Sequence, residues 1–398
     1  MIQMDKQIGT ICNLAELEAI TAETQQQLLG IEGEVSEDEA IKDQEIPYDA
    51  DKIRVDSKIF SVFQIKTLID RHMIDLMPNF QRNLVWDIHR KSLLIESLML
   101  RIPIPAFYFD EDNNSKKTVI DGLQRLSAIN SYMNNEFALT GLQYLQEDCG
   151  GLLFDELRQK YQTRIEDAQL TVNILDSRSP VNVKFDIFRR VNTGGVPLNA
   201  QEIRNVLASE STRQFLISLA RSEEFLVATR NRVNDIRMDA QELCLRFVAF
   251  YRRYDPASHT LKDLQSVGIM LDECIETLNT SSKEDLDLIF SIFKESMKKC
   301  TALFGEHTFS KYQNEHIINK VLFTSWAVIL TGYSCSIEKL ESIQEKALTH
   351  LYNRLDSDPK YFTSISSSTS SKASIAKQFE TANQIMEELL NDSENSNQ

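Results

Sequence analysis

The feature that most narrows the fold is a change of rhythm at Pro180. Before it, runs of strand-like alternation are interleaved with short amphipathic segments; after it, apolar residues recur at helical spacing almost to the end. A chain written this way is expected to fold as an α+β domain followed by an α-helical one. The expected division is an acidic, partly disordered arm at 1–52, a small mixed sheet with helices at 53–180, a helical domain at 181–390 and a disordered tail at 391–398. Ser57 to Asp70 is expected as a short strand or turn followed by a helix, and strands are expected near 74–76, 106–110, 116–120, 137–139 and 170–175, those at 106–110 and 116–120 pairing as a hairpin around Asp112-Asn113-Asn114. In the second half, helices are expected near 181–191, 211–221, 237–253, 260–279, 283–303, 315–332, 337–355 and 374–390, with a Ser/Thr-rich loop at 363–371. Asp87 is expected to cap the helix after Trp86, and Asn199 with Glu202 to form a capping box.

A net charge of −16 would argue against a nucleic-acid partner if it were spread evenly. It is not. Residues 1–50 hold twelve acids against two lysines, a net of −10, and residues 381–398 add −4, which leaves about −2 for the body. DNA therefore stays open as a partner, and the acidic arm has a second reading as a partner-binding tail or a DNA mimic for the protein's own basic groove. The six cysteines form no C-x-x-C pair, so neither a zinc knuckle nor a redox motif is written here, and reduced thiols in a cytoplasmic protein are expected. The N-terminus carries Asp5 and Lys6 without an apolar run, unlike a signal peptide. The apolar segment 321–333 is broken by Thr324, Ser325 and Thr331 and is expected as a core helix, not a membrane span.

The chemistry concentrates between Thr118 and Asn130. Thr118, Val119 and Ile120 have β character, Asp121-Gly122 makes a tight turn, and Leu126, Ile129 and Met133 line one side of a helix that starts there. The first amides of a helix have no partner within it, and the helix dipole favours negative charge at that end, so a phosphate would fit. Gly122 would let it approach the backbone, Asp121 would face a metal or a hydroxyl, and Arg125 would return as a phosphate donor. The plainer reading makes Asp121 an N-cap, Gly122 a turn residue and Arg125 a solvated charge.

Four segments occur in order: Pro78-x-Phe80-Gln81-Arg82-x-x-Val85-Trp86; Leu98-x-x-Arg101-Ile102-Pro103-Ile104-Pro105; Ile120-Asp121-Gly122-Leu123-Gln124-Arg125-Leu126; and Phe188 to Arg204, which includes Asn192-Thr193-Gly194-Gly195 and Gln201-Glu202-Ile203-Arg204. Together they resemble the family typified by the N-terminal half of the GmrSD modification-dependent restriction endonucleases, which is related to the ParB and sulfiredoxin fold. The segments 237–247 and 318–323 resemble the helical extension of stand-alone members. The resemblance implies NTP binding or hydrolysis, with Mg²⁺, at an Asp-Gly-Gln-Gln-Arg motif, as a control step in defence against foreign DNA. In this chain that motif is Asp121, Gly122, Leu123, Gln124 and Arg125, with Leu where the commonest form has Gln.

On that reading Asp121, Gln124 and Arg125 are the catalytic candidates, with Asp121 orienting Mg²⁺ or water. Gln81, Arg82, Gly122, Asn192, Thr193, Gly194 and Gly195 are the phosphate-binding candidates. The three polar clusters would frame one pocket, although Asn192 to Gly195 can also be read as a plain helix-ending corner. Longer relatives cut DNA with a C-terminal HNH nuclease. None of His72, His89, His259, His307, His316 or His350 has the His-x-x-Pro continuation of such a domain, and no glycine is followed by lysine as a P-loop requires. A separate effector is therefore expected as the partner that cuts. Arg230, Arg232 and Arg237 open a basic stretch suited to a nucleic-acid backbone, or to pairing with acids on helix surfaces. The rival functions are a non-enzymatic DNA-binding or adaptor module and, below it, a ParB-like nuclease.

Overall fold

The computed structural model describes residues 30–32, 55–76, 86–111, 115–176, 179, 184, 187, 199–235, 237–313 and 317–395. They fall into two compact units, one up to residue 198 and one from Asn199 onward that also includes residues 30–32. Outside the described residues lie Gln81 and Arg82, Asn192 to Gly195, and most of the expected 181–191 helix.

The first unit is built on a five-stranded mixed sheet: β1 (Val55–Ser61), β2 (Ile74–Asp75), β3 (Phe107–Glu111), β4 (Lys117–Asp121) and β5 (Gln169–Leu175), in the order β1-β5-β3-β4-β2. The expected β3–β4 hairpin is present and antiparallel, while β3 runs parallel to β5 and β2 parallel to β4. The main helices of this unit are α1 (Val62–Asp70), α2 (Ile88–Met99), α3 (Leu123–Met133) and α4 (Gln159–Glu166). Asp87 caps α2 as expected, its carboxylate accepting from the Arg90 amide at 2.7 Å. Phe107, Phe109 and Val119 from the sheet meet Ile95, Leu126 and Ile129 from α2 and α3 in one apolar core. The strand expected at 137–139 does not form: the segment is an irregular connection whose Leu139 enters the same core. Buried Glu96 organises the loop after that connection, with its carboxylate accepting from the amides of Gln143, Tyr144 and Leu145 at 2.7–3.0 Å, which satisfies a charge that burial would otherwise penalise.

The second unit is helical. Its main elements are α5 (Ala200–Leu207), α6 (Glu210–Ala220), α7 (Asp239–Tyr251), α8 (Val267–Thr280), α9 (Lys283–Phe304), α10 (Lys320–Ile329), α11 (Gln344–Ser357) and α12 (Lys372–Asn395). The Asn199/Glu202 capping box is present, each side chain bonded to the other's amide at 2.7 Å. Three expectations are corrected. Residues 254–255 and 260–261 pair as a short hairpin, so the helix expected at 260–279 starts only at Val267. The segment 337–355 is two helices, and half of the Ser/Thr run at 363–371 is helical because Asp358 caps Pro359–Ser366 through the amides of Lys360 and Tyr361. Core helix α10 is wholly buried, and no described helix is long and apolar enough to cross a membrane. Of the arm, Ile31 pairs with Ile318, and Glu32 bonds Lys311 and Asn319. Cys149, Cys244, Cys274 and Cys300 are buried free thiols.

Candidate functional site at the β4–α3 turn

Strand β4 ends on Asp121, which pairs with Tyr108 beside a register shift between Tyr108 and Phe109. A bulge at that point bends the strand end. Gly122 comes next with φ 96°, and a Cβ there would stand 2.2 Å from the Phe107 ring. The glycine is therefore required twice, by its left-handed backbone and by the close approach of an aromatic ring. Leu123 is 6% exposed and belongs to the core with Leu126 and Ile129. The departure from the commonest family motif is thus a packing residue.

Arg125 is neither solvated nor free. Its Nη2 donates to Asp121 Oδ2 at 2.8 Å and to the Ala106 carbonyl at 3.2 Å, its Nη1 donates to the Pro105 carbonyl, and the guanidinium lies 4.4 Å from the centre of the Phe107 ring. A cation in the first turn opposes the helix dipole, and this ring of acceptors offsets that cost. Burial lowers the guanidinium's pKa from its ordinary value, and the charge of Asp121 opposes the shift. Of the five N–H hydrogens an arginine carries, Nε–H and one on Nη1 make no bond among the described residues.

The start of α3 is open. Gly122 is its N-cap and supplies no side chain, and the first helical bond runs from the Leu126 amide to the Gly122 carbonyl. The amides of Leu123, Gln124 and Arg125 consequently have no acceptor among the described residues. Asp121 is not the N-cap, because its carboxylate is turned to Arg125 and its Oδ1 makes no bond among the described residues. Gln124 Oε1 accepts from the Trp86 amide at 3.3 Å, so the last residue of the Pro78 to Trp86 segment meets the Asp-Gly-Leu-Gln-Arg segment. That bond leaves the Gln124 amide's NH₂ as the group with hydrogens to give.

The other expected site residues divide. Gln81, Arg82, Asn192, Thr193, Gly194 and Gly195 lie outside the described residues. Arg230 donates to the carbonyls of Glu306 and Thr308 and to Ser310, all at 2.8–3.0 Å, and Arg237 donates to Glu202 at 2.9 Å. Further along the same stretch Arg252 pairs with Asp285 and Arg253 with Glu273. Arg232 is exposed. The stretch is largely taken up by internal bonds.

Sequence reasoning missed a buried charge network in the helical unit. Lys320 at the start of α10 reaches Glu242 at 2.9 Å and Asp239 at 3.3 Å on α7, and Arg246 one turn on donates to Glu242 at 2.8 Å. Arg204 on α5, 2% exposed, pairs with Asp272 on α8 at 2.7 Å. Burial pushes the Asp239 carboxyl up, with Glu242 adding to the shift and Lys320 opposing it. For Glu242 burial acts the same way, yet Lys320 and Arg246 outweigh it and hold the carboxyl well below its ordinary range. The available signal was spacing, since Asp239, Glu242 and Arg246 fall on one side of a helix whose other positions, Gln241 apart, are apolar or aromatic.

A mixed sheet whose hairpin feeds an Asp-Gly turn and an uncapped helix, succeeded in the chain by a helical unit, defines an α+β protein with a helix start suited to anions. Residues 65–209 match the family model of the GmrSD restriction endonuclease, N-terminal domain. No curated protein and no solved structure matches the chain.

Proposed function

We propose that this chain is a nucleotide-binding, NTP-hydrolysing component of a restriction-type DNA defence system, acting with a separate effector, and that the nucleotide's phosphates sit on the first turn of α3. The observation that carries this reading is the set of three unbonded amides at Leu123, Gln124 and Arg125, placed in the motif that the family resemblance ties to nucleotides. Gln124 gives its NH₂ to a phosphate oxygen or to the attacking water. Arg125 is chiefly the residue that builds the turn, with two hydrogens left for a phosphate. Water attack on a phosphoryl group depends on alignment and charge stabilisation more than on a strong base, and amides with one held guanidinium supply both. The residues fit Mg²⁺ as nucleotide sites use it, through one carboxylate with phosphate and water completing the shell: Asp121 Oδ1 would hold it. The ion's contribution when bound is to neutralise phosphate charge.

Gln124→Glu tests this without threatening the fold, because an acid in the first turn favours the helix dipole while repelling a phosphate. Calorimetric titration with ATP and GTP, each with and without Mg²⁺, is expected to show binding by wild type and roughly tenfold or greater weakening in the variant at unchanged Tm. Equal affinity in the two proteins, or no nucleotide bound by wild type, overturns the proposal.

A further inference from the structure

A cleft of about 430 Å³ in the first unit is lined by Arg101, Gln159, Lys160, Thr163, Arg164 and Asp167. None of these belongs to the β4–α3 turn. Five of the six come from α4 or its C-cap and recur at helical spacing, so they share one side of that helix; the sixth, Arg101, comes from the end of α2.

Arg101 is the unusual member. Leu100 ends α2, the Arg101 amide bonds the Leu98 carbonyl at 3.0 Å and the Ile102 amide bonds the Ser97 carbonyl at 2.9 Å, the two bonds of a Schellman ending. Its first residue past the helix takes a left-handed backbone, where glycine is the favoured occupant. Here that residue is an exposed arginine at φ 61°, a conformation disfavoured for residues with a Cβ. The fold tolerates this strain and in return places a guanidinium in the cleft. Across from it the other two cations are held in place: Lys160 and Arg164 lie over the ring of Tyr161 at 4.4 and 5.8 Å, Arg164 also donates to the Met99 carbonyl at 3.2 Å, and the Tyr161 hydroxyl donates to Asp148 at 2.8 Å.

We infer that this cleft binds the phosphodiester backbone of duplex DNA. Three cations face one carboxylate, Asp167, and an amide and a hydroxyl complete the lining. None of the described residues that line it is aromatic or a branched aliphatic of the kind that holds a base or a small apolar ligand, whereas guanidinium, ammonium, amide and hydroxyl groups are the donors that contact phosphates. The choice of DNA over a free anion rests on the restriction-type function proposed for the chain. It makes the first unit carry two phosphate sites of different kinds, a helix start for a nucleotide and a cationic cleft for a polymer.

The test is fluorescence anisotropy with a 30-base-pair duplex over a salt series, on wild type and on Arg101→Gly combined with Lys160→Gln. Glycine relieves the left-handed strain, so the variant is expected to fold with an unchanged or raised Tm. Its DNA affinity is expected to fall about tenfold or more near 100 mM salt, and the slope of log affinity against log salt to drop by roughly 2, from two lost phosphate contacts. Nucleotide affinity is expected to stay at the wild-type value. An unchanged slope and DNA affinity in the variant overturns the inference. A wild type that binds nucleotide but no duplex overturns it alone, and one that binds neither removes the proposed function as well. Binding of inorganic pyrophosphate that depends on Arg101, without binding of duplex, overturns the assignment to DNA in favour of a free anion.

Discussion

Helices α3 and α7 begin alike and end up with opposite fates for their first amides. Each comes after a residue in the left-handed region, Gly122 at φ 96° and Met238 at φ 62°, and neither N-cap provides a side-chain acceptor. At α7 a carboxylate from upstream closes the gap, with Asp235 Oδ1 accepting from the amides of Ala240 and Gln241 at 3.1 and 3.4 Å. At α3 the nearest carboxylate, Asp121, is held by Arg125 instead, and the amides stay open. The charged groups nearby show the same division. Asp121 is 30% exposed in its side chain, whereas Asp239, Glu242 and Lys320 are each 11–12% exposed and bonded to one another. One helix start satisfies itself from within the chain; the other leaves its first amides without an acceptor among the described residues.

The largest effect that would sharpen this contrast comes from the closed site. Glu242→Gln removes the one carboxylate that Lys320 and Arg246 share in a buried place, and is expected to cost about 3–5 kcal/mol in denaturant unfolding. Asp239→Asn is expected to be near neutral or stabilising at pH 7, because that carboxyl is pushed up and its charged form is the disfavoured one. The two carboxyls give pH dependences of opposite sign. Glu242, depressed in the folded state, contributes stability that is present above its unfolded value near 4.3 and lost as pH falls toward its lower folded value. Asp239, raised in the folded state, contributes in the reverse sense, favouring the fold at low pH and ceasing to do so as pH rises through its folded value. Equal costs for the two substitutions would break the account of the network.

A smaller effect is expected at the open site. Leu123→Gln restores the commoner motif residue but puts an amide into the apolar core, and is expected to lower stability by about 1–3 kcal/mol with nucleotide affinity changed less than twofold. A marked gain in nucleotide binding would show that position 123 reaches the ligand and that its packing role is secondary.

Much of this was legible in the sequence, and the gaps have physical causes. The β3–β4 hairpin, the Asp87 cap and the Asn199/Glu202 box depend on neighbours a few residues apart, and all three formed as written. What failed depended on distant partners. Residues 137–139 have strand composition but run as an irregular connection whose Phe137 and Leu139 enter the core of the first unit. At the site, the motif identified the turn but not that Arg125 would bond Pro105, Ala106 and Asp121, since two of those acceptors are backbone carbonyls that carry no sequence signal. The cleft was invisible for a related reason: Arg101 and Arg164 meet only through the fold.

Amide hydrogen exchange at individual residues, read by NMR with and without saturating nucleotide and Mg²⁺, examines the central claim at the atoms that carry it. The amides of Leu123, Gln124 and Arg125 are expected to exchange quickly in the free protein and to slow at least tenfold on saturation, while those of Ala240 and Gln241, already bonded to Asp235, keep their rates. Nucleotide that binds yet leaves the three α3 amides as fast as before would contradict the assignment.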